Sequence, residues 1–129
     1  MRTGADESES PKYAHIERER RWLVDTARCP DIEGMAYVMI EDRYITGTRC
    51  RLRRMTVSGT GETALKLTKK YRAEDPSKRA IVTAYIDEAE YALFAALPAN
   101  ALVKRRIKMA VSGLDWSLDC FEGQLSGLE

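Results

Sequence analysis

Residues 41–71, EDRYITGTRCRLRRMTVSGTGETALKLTKKY, form the stretch whose reading decides the fold. Gly47 interrupts its first part, and beyond it Arg49, Arg51 and Arg53 alternate with Cys50 and Leu52. VSGTGET, with Gly59 and Gly61, turns the chain into ALKLTKKY, where Lys66, Thr68 and Lys70 oppose Leu65 and Leu67. Alternation with period two sends successive side chains to opposite faces of a strand. Two such runs joined by a glycine-containing connection read as an antiparallel hairpin, with one apolar face and one cationic face.

The same pattern extends in both directions. In HIERERRWLV, residues 15–24, His15, Glu17, Glu19 and Arg21 share one strand face, and Ile16, Arg18, Arg20, Trp22 and Val24 take the other. Alternate residues on a strand place the two carboxylates roughly 7 Å apart on one wall. AYVMI, residues 36–40, is a short apolar run suited to a buried strand, and residues 79–86 are rich in β-branched and aromatic side chains. Asp87 is placed as a helix N-cap, with Glu90 three residues on completing a capping box. Ala89, Ala92, Leu93, Ala96 and Leu97 then predict an amphipathic helix of about ten residues, packed on an apolar surface and stopped by Pro98. In LVKRRIKM, residues 102–109, Lys104, Arg106 and Lys108 oppose Val103, Ile107 and Met109. After the turn SGLD, WSLDCF sets Ser117 and Asp119 against Trp116, Leu118 and Cys120. The reading is an α+β domain, mainly antiparallel β, with Cys50 and Cys120 as small core residues and Trp116 as an outer-face anchor against the helix.

Composition narrows the function classes. A chain of 129 residues with 44% hydrophobic and 32% charged residues is one domain's worth of ordinary globular sequence. Residues 1–13 are polar and acidic and read as a disordered leader, leaving 14–129 as the domain. A net charge of +1 points to no polyanionic partner by itself. Aromatic residues do not interleave with the cations as a nucleic-acid stacking surface requires, so no nucleic acid is expected. Three cysteines without metal-ligand spacing argue against a disulfide framework and a zinc site, and a cytoplasmic location is expected. No apolar run approaches the roughly 20 residues of a membrane helix, so no membrane is expected either.

Alternation alone also describes a solvated sheet face. The sameness of sign carries the functional reading: three strands each bring two or three cations to one face, where like charges repel unless an anion lies among them. Arginine grips phosphate through two parallel hydrogen bonds, and lysine adds a compact charge. Carboxylates on neighbouring walls, Glu17, Glu19 and Asp119, are oxygen donors of the kind that hold magnesium or manganese. The parts describe metal-assisted phosphoryl chemistry or phosphate binding.

Glu17-x-Glu19-x-Arg21 followed by WLV resembles the opening ExExK signature of the CYTH family, the triphosphate tunnel metalloenzymes, with arginine in place of the lysine. DRYITGTRCRLRR, KLTKK, IDEAEYALF, Lys104-x-Arg106 and WSLDCFEG are similar to that family's successive blocks in the same order, so the resemblance spans residues 16–128. It implies a CYTH-like triphosphate tunnel β-barrel with one or two packed helices, and hydrolysis of inorganic tripolyphosphate or an organic triphosphate with Mg2+ or Mn2+. Carried over residue by residue, Glu17, Glu19 and Asp119 fall at metal positions. Arg21, Arg51, Arg53, Lys66, Lys70, Lys104 and Arg106 fall at phosphate positions, with Glu17, Glu19 and Arg53 as catalytic candidates. Face parity favours Lys66 and Lys70 over Lys69.

The chain also departs from the family pattern. Ile81, Thr83 and Tyr85 stand where many members alternate glutamates, and Ser117 stands where a glutamate is common. Members usually continue beyond the positions of Gly127 and Leu128 into a last acidic strand. An absent closing strand would leave an unpaired edge, hence a monomer or a homodimer. The alternative function is a polyphosphate- or nucleotide-binding module with little or no catalysis.

Overall fold

The computed structural model describes residues 12–18, 22, 34–75 and 77–122. Seven strands and one helix follow in the order β1 (His15–Arg18), β2 (Val38–Ile45), β3 (Cys50–Val57), β4 (Thr63–Lys70), β5 (Lys78–Tyr85), α1 (Glu88–Ala95), β6 (Ala99–Val111) and β7 (Leu114–Phe121). The strands form one antiparallel sheet in the order β1-β5-β4-β3-β2-β6-β7. It curls into a half-barrel, so the architecture is α+β and barrel-like.

The β3–β4 hairpin forms where the alternation placed it, pairing Arg53 with Lys66 and Arg51 with Thr68. At the far end, β6 and β7 are joined through Ser112 and Gly113, with φ of 53° and 75°. Positive φ at both central residues is the backbone of a type I′ turn, whose twist matches the flanking strands. The β6 strand begins at Ala99, directly after Pro98, and is longer than the run at residues 102–109 suggested.

The outer face carries most of the apolar core. Leu52, Leu65, Ile45, Ile107, Leu118 and Cys120 are all buried there, with Tyr37 and Met109 packed on the last three. Cys50 is half-buried on this face, a more exposed position than a core residue occupies.

The Asp87–Glu90 capping box forms as expected, each side chain bonded to the other residue's backbone N–H at 2.8 and 3.0 Å. The predicted apolar stripe of α1 is corrected. Leu93 and Leu97 are exposed, and the half-buried positions are Tyr91, Phe94 and Ala95. Arg54 of β3 sets this rotation: it bonds both Glu88 carboxylate oxygens at 3.0 Å and lies over the Tyr91 ring at 4.6 Å. Trp116, expected as an outer-face anchor, has Trp22 as an aromatic partner, with ring centroids 5.4 Å apart.

No helix among the described residues is long and apolar enough to cross a membrane. Residues 1–11, which hold most of the leader expected at 1–13, and residues 19–21, 23–33, 76 and 123–129 lie outside the described residues.

Candidate functional site

Directly opposed residues in a sheet share a face, so the register assigns every strand side chain to the inner or the outer surface. Arg51 and Arg53 of β3, Lys66 and Lys70 of β4, Lys104 and Arg106 of β6, Asp119 of β7 and Glu17 of β1 all fall on the inner, concave face. Arg79 and Lys108 join them, and Thr83 and Tyr85 stand on the same wall. Lys69 lies on the outer face, with its ammonium 4.8 Å from the Tyr71 ring centroid, as parity required. Glu19 and Arg21, the other two predicted site residues, lie outside the described residues.

Curling brings side chains of neighbouring strands together, and charged groups become buried. Asp42, Arg53, Thr68 and Lys104 are 1%, 6%, 1% and 3% exposed. Ile40, fully buried, stands beside Lys104 in the register, and Leu102 beside Asp42, so the floor between the charges is partly apolar. Thr68 shares a hydrogen bond with Thr83 at 3.0 Å.

Two aspartates organise the cations. Asp42, opposite Arg53, accepts from its Nε at 2.6 Å and its Nη2 at 2.8 Å. Asp119, opposite Arg106, accepts from Nε at 2.8 Å and Nη2 at 3.0 Å, and the Lys104 ammonium lies 2.8 Å from its Oδ2. Glu17 and Lys70 are 3.5 Å apart. Asp42 went unread in the sequence because EDRY looks like an acidic approach to a turn. Its parity with Ile40 and Tyr44 on one strand face was the available signal.

Electrostatics follow from this crowding. Burial, and then the neighbouring Arg53, lower the Arg51 pKa, against a smaller opposing effect of Asp42. Burial also lowers the Lys104 pKa, and Asp119 opposes it. For Asp119 itself burial would raise the pKa, but hydrogen bonds from Arg106 and Lys104 overcome that and bring it to about 2. Arg51 retains a buried Nε with no hydrogen-bond partner among the described residues, 4.0 Å from Asp42 Oδ1. Asp119, expected at a metal position, and Asp42, not singled out in the sequence, lie among the cations as paired anions, and Arg53 is already half engaged by Asp42.

The donor chemistry of the face suits Mg2+ or Mn2+ in kind, because its anions are carboxylates. It does not suit them in availability. Both Asp42 oxygens and both Asp119 oxygens accept from cations, and no cluster of three candidate metal ligands occurs among the described residues. No family model, curated protein or solved structure matches this chain.

Proposed function

We propose that the concave face binds the triphosphate group of a small molecule and that the chain hydrolyses this group with Mg2+ or Mn2+ as a triphosphate tunnel metalloenzyme. One observation carries the binding half. Arg51, Arg53, Lys66, Lys70, Lys104 and Arg106 project from three strands onto one curled face, where cations outnumber carboxylates among the described residues. A polyanion offers the missing charge, and the unpartnered Arg51 Nε is a donor suited to a phosphate oxygen. Hydrolysis of a phosphoanhydride needs positioning and charge stabilisation more than covalent help from side chains. Lys66 and Lys104 would spread positive charge along the phosphate chain while Arg51 orients it. The divalent ion belongs to this reading as a companion of the triphosphate, since the described carboxylates are engaged.

That engagement favours a second reading, a module that binds polyphosphate without turnover. Phosphate release from tripolyphosphate with Mg2+ or Mn2+, from neutral to alkaline pH, separates the two. Release that falls at least about tenfold in Arg51→Ala, the scale of one lost charge-assisted hydrogen bond, supports the enzyme. Thermal stabilisation by tripolyphosphate with no phosphate released selects the binding module. An unchanged thermal midpoint with every polyphosphate, and no release, removes both.

A further inference from the structure

We propose that Asp42 is a positioning residue that presents Arg53 to the bound triphosphate, an inference that rests on the phosphate-binding reading above. Asp42 and Arg53 face each other at the centre of the sheet, with side chains 0% and 7% exposed. A buried ion pair there is poorly explained by stability, because desolvation offsets its attraction and apolar residues of similar volume serve as well or better. Apolar neighbours are already at hand in Ile40 and Leu102. The geometry supplies another reason. Asp42 grips the guanidinium by its Nε and Nη2 edge, which fixes the plane of the group. The remaining hydrogens of the five-donor fork are left for a ligand.

Asp42 also stands 4.0 Å from Arg51 Nε, near enough to relieve repulsion between the two arginines without closing a hydrogen bond. A ligand phosphate then meets donors whose ordering has already been completed in folding, which is how preorganisation raises affinity. A simple counter-ion would behave oppositely, since its removal makes the face more positive and tightens anion binding. The sign of the effect therefore distinguishes the two roles.

The test is calorimetric titration of the full chain with tripolyphosphate, beside thermal unfolding. Asp42→Asn should bind about tenfold more weakly than the unsubstituted chain despite the extra positive charge, and equal or tighter binding overturns the proposal. If Asp42→Asn does not fold, Asp42→Glu decides, because it keeps the negative charge and Arg53 while displacing the carboxylate from the Nε and Nη2 edge. It should bind about tenfold more weakly, where a simple counter-ion would leave affinity unchanged. Affinity within twofold of the unsubstituted chain overturns the proposal. Failure of the unsubstituted chain to bind tripolyphosphate overturns the phosphate reading itself, and this inference with it.

Discussion

The centre of the sheet and its β6–β7 edge contain the same chemical device in two settings. Asp42–Arg53 and Asp119–Arg106 are both directly opposed across an antiparallel pair, and both use Nε and Nη2 against two carboxylate oxygens. Their burial differs: the central side chains are 0% and 7% exposed, the edge side chains 21% and 23%. Strand β2 has neighbours on both sides, whereas β7 has only β6 among the described residues. Direct opposition across an antiparallel pair makes each ion pair, and position in the sheet decides how much water it loses. A dry pair is costly to break because the survivor has no solvent to turn to, whereas a half-wet one is partly screened.

Breaking the central pair should have the largest effect. Asp42→Ala leaves Arg53 buried without its partner and should cost about 3–5 kcal/mol in chemical denaturation. A loss no greater than that at the edge would erase the difference between the two settings. Asp119→Asn should cost less, about 2 kcal/mol, the scale of a carboxyl held near 2 against an ordinary 3.8. Because the folded-state pKa lies below the unfolded one, that stability is present above about pH 4 and is lost as pH falls toward 2. Unfolding midpoints across that window should therefore fall less steeply for Asp119→Asn than for the unsubstituted chain. The smallest change tests the edge hairpin without touching its charges. Gly113→Ala forces a side chain into φ of 75° in open space and should cost about 1 kcal/mol by denaturation, with the Asp119 pH profile unchanged.

Much of this was legible from residue order. Alternation separated Lys66 and Lys70 from Lys69, and grouped them with Arg51, Arg53, Lys104, Arg106 and Asp119 on one surface across four strands. Capping chemistry located the start of α1, since Asp87 and Glu90 act on backbone only three residues away. The apolar periodicity of α1 misled, because Arg54, far away in sequence, holds Glu88 and Tyr91 and turns Leu93 outward. Asp42 escaped notice for a related reason: its role depends on facing Arg53 across β2 and β3, which no local spacing reports.

By itself, then, the sequence determined which side chains share a face, because strand parity is a property of the backbone alone. Only the tertiary structure decided which of those charges are buried and paired. Strand order and curl set the distances between groups far apart in the chain, and on those distances depend desolvation, ion pairing and the donors left for a ligand. The charged face was visible as a list of residues, whereas the difference between an anchored Arg53 and an unsatisfied Arg51 arose only when β2 was laid beside β3.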